Sequence, residues 1–182
     1  MTYHHGDLRR TLLDAAAASI AESGVAKLSL RALAKDANVS NAAPTYHFGD
    51  KAGLLTALAA EGFELLAEAV SSPRHQSLVD MGVSYVDFAL THPSHFLVMF
   101  QPSLLRDGDD DLNLAQQHAR AALEAGVRDA RDHGSDDESS SRAAWSIVHG
   151  FATLVLSGAI TVADPLAEAR RVAAHLDIDQ LE

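Results

Sequence analysis

The stretch Val39–Lys51, VSNAAPTYHFGDK, decides how this chain folds. It joins two segments rich in alanine and leucine, and it sets a proline and several small residues ahead of a polar-aromatic cluster. Ser40 or Asn41 suits the cap of a very short helix, because a side-chain oxygen there accepts an amide that helical bonding leaves free. With Asn41 as the cap, Pro44 falls at the third helical position, whose amide needs no intrahelical acceptor. The helix then reaches His47, and Gly49 breaks it.

On the N-terminal side, Ser29 is placed to cap a helix whose Leu30, Leu33, Ala34 and Ala37 form an apolar stripe, leaving Arg31 and Lys35 on the other face. Asn38 ends it, since asparagine tolerates the left-handed conformation. Before that, Leu8, Leu12, Leu13, Ala16 and Ile20 recur at helical spacing from Asp7 to Ser23, and Gly24 stops the run. On the C-terminal side, Asp50 caps a long fourth helix through Leu54, Leu55, Leu58, Phe63, Leu66 and Val70, until the SSP of Ser71–Pro73.

Further helices are expected from Gln76 to Thr91, from Pro93 until Pro102 closes it, from Leu112 to Asp132, from Arg142 to Val162, and from Pro165, behind the cap Asp164, to about Leu176. RDGDDD at Arg106–Asp111 reads as a solvated loop or helix start, and HGSDDESSS at His133–Ser141 as a flexible polar loop. With no strand pattern and no internal repeat, the fold expected is all-α with about nine helices.

A formal charge of -11 ordinarily argues against nucleic acid as a partner. Its distribution changes that reading. Residues 1 to 55 hold six basic side chains (Arg9, Arg10, Lys27, Arg31, Lys35, Lys51) against five acidic ones, whereas the remainder carries eight against twenty. A near-neutral, locally basic head on an acidic body points to two modules with different roles, placed at 1–52 and 53–182. There is no cysteine, which excludes a disulfide framework and a thiolate zinc site. No signal peptide is read in MTYHHGDLRR, and the longest charge-free segment, Gly150–Ala163, falls short of the roughly 20 apolar residues of a membrane span. The expectation is a cytoplasmic protein without membrane contact.

Two short helices around a tight turn, braced by a preceding helix, have the geometry of a helix-turn-helix DNA reader. The run from Leu12 to Leu55 also resembles the N-terminal domain of the TetR (tetracycline repressor) family of bacterial transcription regulators. The anchors are Leu12–Ala16, Gly24, Leu30, Leu33-Ala34, Val39-Ser40, Tyr46-His47-Phe48, Lys51 and Leu54-Leu55. On this resemblance, Leu33, Val39 and Phe48 form the small core that fixes the two helices. Asn41, Ala42, Ala43, Thr45 and Tyr46 face the major groove, with Arg31 and Ser40 beside them. Asn41 is suited to a bidentate contact with adenine, and the alanine and threonine methyls to thymine methyl groups. Tyr46, His47 and Lys51 suit phosphates, although His47 also fits a plain surface or capping histidine. Arg9 and Arg10 reach either the DNA backbone and minor groove or simply solvent. The chain departs from the family pattern at Asn38, where a turn glycine is common, and at Thr45, where a tyrosine is frequent.

The resemblance implies C-terminal helices that hold a ligand pocket and pair two subunits through the last two long helices. The helix read at Arg142–Val162 is apolar on nearly all faces from Arg142 to Ile160, so more than one neighbour must cover it. Trp145, His149 and Gly150 resemble the tryptophan-histidine-glycine hallmark of one class of TetR C-terminal domain, as does HPSHFLVMF at His92–Phe100. The candidate pocket residues are Tyr85, Phe88, Phe96, Met99, Phe100, Trp145 and His149, with plain core packing as the alternative for each. Small residues Ala152, Ser157, Gly158 and Ala159 would let a second helix approach.

The function expected is that of a homodimeric DNA-binding regulator, a repressor released from a palindromic double-stranded operator by a small-molecule effector. An activator of the same fold is the alternative, and a helical metal-dependent enzyme a more remote one. Against the enzyme, Pro93 separates His92 from His95, no carboxylate completes that pair, and no phosphate loop or nucleophile elbow is present. No enzyme activity, cofactor or bound metal is expected, and His4-His5 reads as a tail.

Overall fold

The computed structural model describes residues 5–75, 77–129 and 138–176. Among the described residues there are nine α-helices and no strand. They are α1 His5–Ser23, α2 Leu30–Asp36, α3 Ala43–Phe48, α4 Lys51–Val70, α5 Leu78–Thr91, α6 Pro93–Met99, α7 Asp110–Asp129, α8 Glu138–Leu156 and α9 Pro165–Ala173. Short 3-10 turns cover Val25–Lys27, Pro102–Leu104 and Ala174–Leu176. The expectations for Met1–His4, for Gln76 and for the loop residues 130–137 lie outside the described residues.

The local signals act where the side chains predict. Gly24 has φ 80° and its amide donates to Ile20 O at 2.8 Å, closing α1. Ser29 Oγ accepts from the Ala32 amide at 3.2 Å, and Asp50 Oδ1 from the Gly53 amide at 2.8 Å, so each caps its helix. Asn38 has φ 52°, the left-handed residue after α2, and it lets the Val39 amide turn back to Ala34 O at 2.9 Å. Asp164 caps α9 through the Ala167 amide at 3.0 Å.

Several boundaries differ from the expectation: α1 already includes His5, read as tail, α8 starts at Glu138 inside the stretch read as a polar loop, and two further helix ends are made by the backbone. Neither Ser40 nor Asn41 caps α3. The chain has already turned, with the Ala43 amide on Ser40 O at 3.0 Å, and the residue before α3 is Ala42, in helical geometry and without a side-chain cap. Pro44 therefore enters one position earlier than read, still among amides with no helical acceptor. Likewise α8 ends at Leu156, not Val162. Gly158, read as a small packing residue, has φ 72°, and the Gly158 and Ile160 amides close the helix end on Val155 O and Leu154 O.

The chain divides into two compact units, Met1–Gly62 with Ser94–Ala115, and Phe63–Pro93 with Gln116–Glu182. In the first, α2 packs on α1 and α3, around buried Leu12, Leu13, Ala16, Ile20, Leu33, Ala34, Phe48, Leu54 and Leu58. In the second, α5, α8 and α9 pack on one another through Tyr85, Val86, Ala89, Ala144, Val148, Ala152, Ala169 and Ala173. No helix among the described residues is long and apolar enough to cross a membrane.

Candidate functional site

In the first unit, α3 is only six residues long and is sorted cleanly by face. Pro44 and Phe48 are buried, Ala43 and His47 half-buried, and Ala42, Thr45 and Tyr46 exposed, Tyr46 at 79%. Ser40 and Asn41 in the preceding turn and Arg31 on α2 are exposed as well. Buried Phe48 is thus a packing residue and leaves a low outer surface of short side chains and one phenol. Such a surface suits entry into a groove, because short side chains let the backbone come close. Of the three residues assigned to the small core, Val39 is only half-buried.

The cations around this surface are held in different ways. Arg9 stands over the Phe48 ring, 5.6 Å from its centroid. Arg10 pairs with Asp14 at 3.0 Å and with Glu61 of α4. Glu61 Oε2 also lies 3.5 Å from His95 Nε2 of α6. His95 first, then Arg10 and Arg9, hold the Glu61 carboxyl below its usual range against the opposing effect of burial. Lys51, assigned to phosphate on chemistry, donates its Nζ to Val25 O at 2.6 Å and so bolts the 3-10 turn after α1 to the start of α4.

One residue of the first unit was not singled out from sequence. Arg106, assigned to a solvated loop, donates Nη2 to Phe48 O at 3.0 Å and pairs with Asp50 Oδ1 at 3.0 Å. The Asp50 carboxyl is held below its usual value, first by the Gly53 amide and then by Arg106. The signal for this contact lay in α4, where Gly53 and Thr56 interrupt an apolar face. Thr56 is 1% exposed, and its Oγ1 accepts the Arg106 amide at 2.9 Å.

The seven pocket candidates are divided between the units. Phe96, Met99 and Phe100 belong to the first, where Phe96 and Phe100 meet edge to face at 5.2 Å and Met99 packs against Gly62. Tyr85, Phe88, Trp145 and His149 belong to the second. There Trp145 Nε1 donates to Tyr85 Oη at 3.0 Å, and Tyr85 Oη lies 2.9 Å from His149 Nδ1. Burial pushes the Tyr85 hydroxyl well above its ordinary value and lowers that of His149. Tyr85 therefore keeps its proton, and its hydroxyl, accepting from Trp145, stands within hydrogen-bond distance of His149 Nδ1. Phe88 stacks on His92 at 5.3 Å instead.

The space beside Tyr85 and Trp145 is small, about 10 Å³, room for a single water. A larger cleft of about 430 Å³ lies in the same unit, walled by Val70, Leu78, Met81, Ala122 and Gly126 and rimmed by the serines at 71, 72 and 77 with His75. His75 is locked by contacts of 3.1 Å with Val70 O and 2.7 Å with Ser84 Oγ. Among the described residues its lining holds no Asp, Glu, Lys or Arg, so it suits a small molecule with apolar and hydroxyl-binding parts. Leu78 and Met81 line both spaces.

Two family models match the chain. Residues 12–58 match "Bacterial regulatory proteins, tetR family", and residues 78–177 match "Tetracyclin repressor-like, C-terminal domain". No curated protein matches. A solved protein of unknown function from Rhodococcus sp. RHA1 is 29% identical with a TM-score of 0.81, over 97% of this chain and 96% of that one. PfmR, a TetR family transcriptional regulator from Thermus thermophilus, is 21% identical with a TM-score of 0.65, over 94% and 98%. EbrR, a multidrug binding protein solved with imidazole, is 24% identical with a TM-score of 0.59, over 92% and 93%. The last two likenesses are of fold.

Proposed function

The chain belongs to the TetR family of DNA-binding transcription regulators with a ligand-binding C-terminal domain, and from that premise we propose a homodimeric repressor released from a palindromic operator by a small effector. The observation that carries this reading is the exposed face of α3 and of the turn before it, with Asn41 and Tyr46 in solvent and Pro44 and Phe48 beneath. Asn41 to Thr45 choose bases, while Tyr46, His47 and Lys51 grip phosphates once Lys51 leaves its carbonyls. One such helix reads only a few base pairs, so two copies about one helical turn apart supply the specificity. A dimer seated over a promoter represses by occupying it. Residues 1–52 serve as the reader and 53–182 as sensor and pairing surface, working in the cytoplasm without a catalytic step.

The cleft at Val70, Met81 and Gly126 supports the effector site, and EbrR's binding of drugs supports its class. An effector releases DNA only by preferring the conformation in which the two readers are misplaced, so its differential affinity for the two states sets the extent of release. The test is selection of duplexes from a random pool. A palindromic consensus is expected, bound at least about a thousandfold more tightly than random DNA. Asn41→Ala should relax preference at one base pair of each half-site at a cost of roughly 1–3 kcal/mol. An unstructured consensus would defeat the operator reading, and an Asn41→Ala profile identical to wild type would defeat that assignment.

A further inference from the structure

We infer that Arg106 is a positioning residue for DNA reading: it fixes the C-terminal end of α3, so the helix that faces the groove is aimed from outside the segment that matches the DNA-binding family model. A helix of six residues does not hold itself, because nucleation costs more than so few hydrogen bonds return. At its start, Ala42 supplies no side-chain cap. At its end, the last carbonyls lack helical partners, and Phe48 O is met by the Asp50 amide at 3.0 Å and by Arg106 Nη2 at 3.0 Å.

Arg106 is itself tied down. Its amide donates to Thr56 Oγ1 at 2.9 Å, and the Thr56 hydroxyl in turn donates to Ala52 O at 2.8 Å. The residue therefore spans from the second turn of α4 to the end of α3. Room for it is built in: a Cβ at Gly53 would stand 2.0 Å from Phe48 O and 2.6 Å from Arg106 Cζ, and one at Gly49 would stand 2.7 Å from Arg106 Nη2. Two glycines at one crossing leave the guanidinium a slot beside the carbonyl.

The ion pair with Asp50 does not explain this arrangement. Both side chains are well exposed, at 43% and 64%, where an ion pair contributes little. The bond that matters runs to an end carbonyl of the reading helix, and a charged donor makes it stronger than a neutral one. Base contacts at Asn41 to Thr45 carry the sequence information and need α3 correctly aimed, whereas phosphate contacts carry none directly. Loss of Arg106 should thus cost recognition more than grip.

The test compares wild type, Arg106→Ala, Arg106→Lys and Thr56→Val on two duplexes, one selected by the wild type from a random pool and one of random sequence, across a salt series. Arg106→Ala should bind the selected duplex roughly tenfold more weakly, with a broadened base profile. Its affinity for random DNA and the salt slope should hold. Arg106→Lys should recover part of the loss, since an ammonium still reaches Phe48 O. Thr56→Val should move in the same direction without changing any charge. Equal losses on both duplexes, with a salt slope lower by about one, would make Arg106 a phosphate contact and overturn the proposal. Unchanged affinity on both would reduce it to a surface ion pair. Where Arg106→Ala does not fold, the Lys and Val variants decide the matter alone, and an unaltered ratio between the duplexes in both refutes it.

Discussion

At the scale of single residues, the second unit is set by a short line of polar atoms, Trp145 Nε1, Tyr85 Oη and His149 Nδ1. Each was visible in the sequence as an aromatic on an apolar helix. Their chain was not, because it depends on the register of α5 against α8, and nothing local fixes that. Arg106 was invisible for a similar reason, standing 58 positions from the carbonyl it holds. The polar line has a consequence for pH. Burial lowers the folded His149 pKa below its ordinary 6.5, so as the solution acidifies the unfolded chain takes the proton first. The stability from neutral His149 is complete above about pH 6.5 and is lost as pH falls toward the folded value. Glu61 acts lower, since its folded pKa lies below its ordinary 4.5 and its contribution is lost only in stronger acid. Melting curves between about pH 7.5 and 5.5 should show a decline that His149→Gln, which keeps an acceptor for Tyr85, reduces. An equal decline in the variant would remove His149 as its source.

At the scale of helices, start signals were readable at Ser29, Asp50 and Asp164, which cap their helices through their own oxygens, but not at Ser77, which caps α5 through the Asp80 amide although the helix was read from Gln76. Two more boundaries were misread where the backbone does the turning, Ala42 before α3 and Gly158 after α8, although the glycine stops at Gly24 and Gly49 were legible. Asn38 lies between these cases. Its side chain is exposed, so its part in the turn between α2 and α3 rests on its left-handed backbone, φ 52°. Asn38→Ala should therefore destabilise the protein by about 1 kcal/mol, the cost of holding an ordinary residue there, while Asn38→Gly should stay near wild type. Chemical denaturation measures both. An alanine variant as stable as wild type would show that the turn relaxes to another conformation.

At the scale of the whole molecule, the change from near-neutral head to acidic body was legible in the charges. The membership of Ser94–Ala115 in the first unit was not, because a chain that leaves a unit and returns gives no sign in composition. The apolar character of α8 was legible too, and one chain leaves part of it bare. Ala144, Val148, Phe151 and Ala152 are buried, whereas Ile147 and Leu154 are 36% and 46% exposed, and Leu166 of α9 is 37% exposed. Ala143, Ile147, Gly150 and Leu154 follow one another at helical spacing, and a Cβ at Gly150 would meet nothing within 4 Å. No charged residue falls between Ala143 and Ser157. A solvent-facing helix of this kind is costly to leave open, and a second copy of the chain is the partner that the proposed dimer supplies. Ile147→Glu tests it, because a carboxylate at the centre of an apolar contact loses both the buried area and the hydration of its charge. The variant should keep its helical content, since Ile147 is not in the core of its own chain, yet weigh as a monomer at micromolar concentration. Its affinity for a palindromic duplex should fall by at least about a hundredfold, toward that for random DNA, as one α3 is left to read one half-site. A dimeric mass with operator affinity intact would place the pairing surface elsewhere.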